Sequence, residues 1–236
     1  MQNKKTKVKD LKLSRRAGYY WVDGIPYPSV TSILGVMSKD ALQIWYGKCV
    51  YRALTANPGL SEADALKAPY MISGQAKTRG TNVHDLTEKF QDTDEYINSL
   101  SEEMQGYGRA YRNWIHDFNP QVIIQEQTVF SEEYQFAGTL DMVVKIGDEE
   151  LIIDKKTGAD LYPEVQVQLS AYKQCLEEKG RHVGMGALLL KPDGTYKFER
   201  YSNFLIDVFL ACKVIYEWRN KKKMDEINKF KKLKQK

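Results

Sequence analysis

Asp141, Asp154 and Lys156 are residues whose types and spacing suggest chemistry. They lie on two apolar runs, Leu140 to Ile146 and Leu151 to Ile153, which flank Gly147-Asp148. A Gly-first pair between such runs predicts a two-residue hairpin. If Ile146 faces Glu149 across the turn, the register sets Asp141 opposite Asp154. Opposed residues on one sheet face have Cβ atoms about 4.5–5.5 Å apart, so like charges placed there destabilise the pair unless something compensates. Lys156, two positions past Asp154, projects on the same face and diagonal to Asp141. Two carboxylates converging with a lysine describe a divalent-cation site with a cationic stabiliser beside it. They also describe an ordinary solvated strand end, so the hairpin needs support from elsewhere in the chain.

Two other places offer it. His84 lies in Arg79-Gly-Thr-Asn-Val-His-Asp-Leu-Thr-Glu88, on a predicted helix from Lys77 to Phe90 whose inner face is Val83, Leu86 and Phe90. His84 and Glu88 share the other face, where a neutral imidazole nitrogen can add a third ligand to the two aspartates. Gly80 and Thr81 beside it permit close approach of a phosphate, although a lone helical histidine is more often a surface or core residue. Gln168 and Tyr172 share one face of a helix predicted over Pro163 to Lys179. There they can hydrogen-bond a phosphate or orient a base, or simply form a half-buried helix surface.

The elements that must position these residues follow from periodicity. Gly18 to Tyr27 reads as an aromatic hairpin turning at Asp23-Gly24, and Ser29 or Thr31 caps a helix toward Leu34. A helix fits Lys39 to Leu54, with Ala41, Leu42, Trp45 and Tyr46 on one stripe, and Leu60 to Met71 is a short amphipathic piece. Ser101 to Phe118 is another helix, carrying Met104, Tyr107, Tyr111 and Trp114 inward. After Asn119-Pro120 the period drops to about 2, giving a strand over Val122 to Phe130 and then the central hairpin. Pro163 suits the first position of the helix that follows. Gly186 to Leu190 and Tyr196 to Tyr201 form a second hairpin, and a last long helix starts near Phe204. The pattern predicts one α/β domain with a mixed central sheet flanked by helices and a helical N-terminal third. Its parts are a basic arm over 1–16, an aromatic hairpin and helices over 17–118, a core over 119–212 and a lysine-rich helix or tail over 213–236.

At 236 residues, 42% hydrophobic and 28% charged, the chain has the composition of an ordinary soluble protein. No stretch approaches the roughly 18 apolar residues of a membrane span. No apolar run follows the basic N-terminus, so no secretory signal is expected and the predicted location is cytoplasmic, with a mitochondrial matrix location as the second reading. Three cysteines, Cys49, Cys175 and Cys212, are too far apart for a disulfide framework or a metal set. The net charge of +4 is uneven: +6 over 1–16 and +7 over 213–236 leave −9 for the middle. An acidic middle suits carboxylates that gather a metal, and basic ends suit attraction of a polyanion, although lysine-rich ends also serve solubility alone.

Together the motifs resemble the PD-(D/E)xK nuclease superfamily, in particular its RecB-like branch. That branch carries G-x-x-x-H on an early helix, G-x-x-D on a strand, D-x-K thirteen residues later and Q-x-x-x-Y on the next helix. Here these are Gly80 to His84, Gly138 to Asp141, Asp154-Lys155-Lys156 and Gln168 to Tyr172. The stretch from Tyr20 to Leu34 is similar to the N-terminal segment of phage-encoded and mitochondrial genome-maintenance exonucleases of this group. The resemblance covers roughly residues 18–200.

The resemblance implies a restriction-endonuclease-like fold and metal-dependent hydrolysis of DNA in repair, recombination or replication, by an exonuclease at single-stranded ends. It implies that His84, Asp141, Asp154 and the Lys155 carbonyl hold magnesium or manganese, and that Lys156 positions water or stabilises the phosphate. Gln168, Tyr172 and Thr81 then meet the substrate, and Glu126 matches a glutamate often found upstream. Leu140 stands where the superfamily's name has proline, and the four cysteines of iron–sulfur relatives are missing, so no iron–sulfur cluster is expected. No G-x-x-x-x-G-K-[ST] loop occurs. DNA is the expected partner, with a recombination or replication protein as a further one. Tyr19, Tyr20, Trp21, Tyr27 and Trp45 either stack on a strand or pack. The alternatives are resection of double-strand ends, structure-specific cleavage, or a non-catalytic DNA-binding module.

Overall fold

A computed structural model describes residues 13–16, 18–37 and 40–234. Of the basic arm, residues 1–12 lie outside the described residues, and the last four form β1 (Leu13–Arg16). This strand pairs antiparallel with β2 (Tyr19–Val22), which turns at Asp23-Gly24 into β3 (Ile25–Pro28). Both turn residues have positive φ, +49° and +75°, as a hairpin with the right twist requires. Leu13-Ser-Arg-Arg shows no apolar alternation, which is why β1 was not expected. Ser29 then caps α1 (Val30–Leu34), its Oγ accepting the Ser32 N–H at 3.1 Å.

Among the described residues, five further helices precede the main sheet. The first four are α2 (Asp40–Ala56), α3 (Glu62–Ala65), α4 (Ala68–Glu88) and α5 (Asp94–Ser99). The helix expected from Lys77 starts nine residues earlier, at Ala68, because Pro69 occupies its first turn and the Leu60 to Met71 piece merges into it. The stripe expected on α2 is not an inner face. Leu42 is exposed and Trp45 and Tyr46 are half-buried, since α2 packs mainly on its helical neighbours α3 and α4. Next comes α6 (Glu102–Phe118), whose Met104, Tyr107, Tyr111 and Trp114 are all buried as expected.

The main sheet contains β4 (Gln121–Ser131), β5 (Phe136–Ile146), β6 (Glu149–Lys156), β7 (Gly184–Leu190) and β8 (Tyr196–Tyr201), in that order. All neighbours are antiparallel except β6 and β7, which α7 (Pro163–Glu177) joins as a crossover. One face of the sheet packs on α1, α7 and the C-terminal helices through Ile33, Leu140, Val143, Ile152, Leu169 and Phe209. The other packs on α4 and α6 through Val83, Tyr107, Trp114, Met142, Val144 and Ile153. This is a mixed α/β fold with a five-stranded mixed sheet flanked by helices, consistent with a restriction-endonuclease-like core.

The single last helix expected from Phe204 is two, α8 (Ile206–Arg219) and α9 (Lys221–Lys234). Asn220 breaks it: the Asn220 Nδ2 donates to the Tyr216 carbonyl at 2.8 Å. The bend lets Met224 and Ile227 reach the core, so the described part of the lysine-rich tail is a docked helix with Lys221, Lys222, Lys223 and Lys229 exposed. No described helix is long and apolar enough to cross a membrane.

Candidate active site

The central hairpin adopts the expected register, with Ile146 facing Glu149 and Met142 facing Ile153 as its last pair. Asp141 and Asp154 are the next residues on each strand. Past that last pair the Asp141 Oδ2 takes the Lys155 N–H at 2.6 Å. Ile152, Asp154 and Lys156 alternate onto the α7 face, which brings Gln168 of α7 against them. The Gln168 Nε2 donates to Asp154 Oδ1 at 2.9 Å and to the Tyr172 hydroxyl at 3.2 Å. Lys156 Nζ is 2.5 Å from Asp154 Oδ2 and 3.4 Å from Gln168 Oε1.

His84 reaches the same place from α4. Its Nδ1 lies 3.7 Å from Asp141 Oδ1 and 3.3 Å from Glu126 Oε1. Glu126 arrives by an unusual backbone. Gln125 pairs with Met142 and Gln127 with Leu140, so Glu126 falls opposite Asp141, yet it has φ +46°. Glutamate seldom adopts that left-handed conformation, and strain of this kind collects at functional sites. Lys155 alternates to the α4 side, where its buried ammonium donates to Thr87 Oγ1 at 2.8 Å and Glu126 Oε1 at 3.5 Å.

Burial, and then the charge of Asp154, push the Asp141 carboxyl up to about 6. For His84, burial opposes protonation, but the Glu126 hydrogen bond and the Asp141 charge outweigh it and raise the imidazole. Glu126 is lowered: burial opposes ionisation, and the His84 hydrogen bond and the Lys155 charge overcome it. Burial likewise opposes the Lys156 ammonium, and the Asp154 and Asp141 charges raise it. At Asp141 the neighbouring Asp154 charge opposes ionisation, and His84, Lys156 and Lys155 offset part of that effect.

Among the described residues, His84, Glu126 and Asp141 offer ligand atoms all within 4.8 Å of one another. Asp154 Oδ2 adds a buried oxygen that receives no well-directed hydrogen bond and faces only the Lys156 ammonium. One imidazole and hard carboxylate oxygens form a donor set that suits magnesium or manganese. The residues present fit a divalent cation.

The other expected residues are placed as follows. A cavity of about 220 Å³ beside the acids is lined by Asp141, Asp154, Lys156, Gln168 and Tyr172, with Tyr20, Thr139, Ser29 and Arg15. Thr81 is not in it: that residue lines an adjacent groove with Lys77, Gly80, Asp85 and Glu88, and its hydroxyl bonds back to the Lys77 carbonyl. His84 and Glu126 border both spaces. Tyr172 is 3% exposed and lies beneath Gly138. For Lys155 the expectation concerned the carbonyl, whereas the contacts seen are those of its N–H and ammonium. Tyr19, Tyr20 and Tyr27 are buried and serve packing rather than stacking on a strand. Sequence reasoning missed the Lys155 side chain and Thr87. Alternation from buried Ile153 could have pointed Lys155 inward, while nothing in the sequence marks Thr87.

No protein-family model matches the chain, and no curated protein does. Several solved structures are similar to it, two of them as follows. The crystal structure of an alkaline exonuclease (LHK-Exo) from Laribacter hongkongensis has 14% identity over 87% of this chain and 92% of that chain, with a TM-score of 0.46. The structure of LHK-Exo in complex with dAMP has 15% identity over the same shares, with a TM-score of 0.44. These are distant similarities, and the chemistry of the site has to follow from its own atoms.

Proposed function

We propose that the chain is a divalent-metal-dependent DNA nuclease of the PD-(D/E)xK type, acting as an exonuclease at single-stranded ends. The observation that carries this is the convergence of His84, Glu126, Asp141, Asp154 and Lys156 where β5 and β6 part. His84, Glu126 and Asp141 would hold the cation, with Asp154 beside them. When bound, such an ion supplies acidified water and offsets charge that builds on the phosphate oxygens.

The chain's own residues supply the rest. Lys156 presents a point charge to the phosphate without competing as a ligand. Gln168 fixes the Asp154 carboxylate through Oδ1 and leaves Oδ2 turned toward the ammonium. Arg15, Tyr20, Ser29 and Thr139 line the cavity in which a strand's sugar–phosphate backbone would lie.

End-labelled single-stranded, duplex and circular DNA, each incubated with magnesium or manganese, test the reading. Linear single strands are expected to shorten from an end and closed circles to survive. Cleavage of closed circles rejects exonuclease action. DNA binding without any metal-dependent turnover rejects catalysis and leaves a binding module.

A further inference from the structure

The chemistry above gives the Lys155 side chain no part, yet it is buried at the heart of the site. Lys155 is 2% exposed, and its two nitrogens touch both acids of the ligand cluster. The backbone N–H holds Asp141 Oδ2 at 2.6 Å, and the ammonium lies 3.5 Å from Glu126 Oε1. Its other contact is the Thr87 hydroxyl at 2.8 Å, itself fixed by donating to the His84 carbonyl at 2.9 Å. A lysine is almost never buried so far, and an apolar side chain of the same length fills such a space without the cost of desolvating a charge. Anchoring β6 under α4 is therefore a poor account of it.

Counting charge gives a better one. Glu126, Asp141 and Asp154 bring three negative charges, Lys155 and Lys156 two positive, and His84 ligates as neutral imidazole. The cluster is left with one net negative charge. A single divalent ion turns that into one positive charge, which a phosphodiester anion balances. A second ion would leave three positive charges within a few ångströms of one another, where like charges repel. Two-ion hydrolytic centres place their ions about 3.5–4 Å apart. Lys155 puts an ammonium at one edge of the ligand cluster, beside the Thr87 hydroxyl and the Glu126 carboxylate.

We propose that the Lys155 ammonium takes the place of a second divalent ion, so that this centre holds one. The proposal rests on the metal-dependent reading of the site. Titration with Mn²⁺, read by the paramagnetic resonance of the free ion, counts tightly bound ions on the intact chain. Wild type is expected to bind one, and Lys155→Met, shown to be folded by circular dichroism and melting, is expected to bind two. Two ions on wild type overturn the proposal, as does a count that stays at one in the folded variant. The wild-type count decides even if the variant fails to fold. Asp141→Asn separates the two readings. Undiminished Mn²⁺ binding by Asp141→Asn removes the metal centre altogether, whereas lost binding there, together with two ions on wild type, sinks only the role of Lys155.

Discussion

Asp154 is held from several sides, by Gln168 on one oxygen and Lys156 on the other, and this makes the residue-scale expectations specific. Asp154→Ala and Asp141→Asn are expected to cut magnesium-dependent degradation by about a thousandfold or more while DNA binding, read by fluorescence anisotropy, persists. Gln168→Leu leaves every proposed ligand in place but frees the Asp154 carboxylate. Its expected loss is about 10–100-fold, in the range seen when a group that orients a ligand is removed. A Gln168→Leu variant at full activity would show that Asp154 needs no such support. Some of this was legible in the sequence. The Asp141, Asp154 and Lys156 pattern is readable because a strand's period is two and a tight turn fixes the register. The face that Glu126 takes and the partner of the Lys155 ammonium are not. A backbone at φ +46° leaves no mark on the sequence around Glu126, and Lys155 finds its hydroxyl partner 68 residues away.

At the scale of elements, close packing at two glycines keeps the site's supports in place. A Cβ on Gly138 would lie 2.6 Å from Tyr172 Cε1 and 3.2 Å from Val30 Cγ2, so β5 approaches α7 and α1 only because that position is bare. On α6, a Cβ at Gly106 would lie 1.7 Å from the Pro192 carbonyl oxygen in the β7–β8 turn. Alanine in a helix is favoured over glycine by about 1 kcal/mol. A clash with backbone, which cannot swing aside, costs about 1–3 kcal/mol or more and wins. Both Gly106→Ala and Gly138→Ala are expected to lower the melting temperature, with Gly138→Ala also reducing activity because Tyr172 carries Gln168. Sheet strands and α6 were readable from their periodicity. The break at Asn220 and the early start of α4 were not, since each depends on what the helix meets in space.

For the molecule as a whole, the acidic cluster is a source of instability that the proposed cation would relieve. Ligand binding to the folded state alone stabilises it by about 2.7 kcal/mol at a hundredfold excess over the dissociation constant. Manganese or magnesium is therefore expected to raise the melting temperature of wild type, and to do so much less for Asp141→Asn. An equal rise in both would place the cation elsewhere. Cys49, Cys175 and Cys212 are all buried and form no disulfide, and burial pushes the Cys175 thiol up first of all. None is expected to react with an alkylating reagent until the chain unfolds.

The Tyr216 hydroxyl donates to that of Tyr19 at 2.9 Å across 197 positions of sequence, and Lys223 covers the same tyrosine ring at 4.1 Å. The small sheet that supplies Arg15 and Tyr20 to the cavity thus rests on helices from the far end of the chain. Contacts so remote form late, because the loop they close must first be confined. During refolding the acids of the hairpin, near neighbours in sequence, come together early, and the wall that would grip a strand is completed only afterward. For the proposed nuclease, the capacity to cut is therefore expected to be the last property a refolding mixture regains.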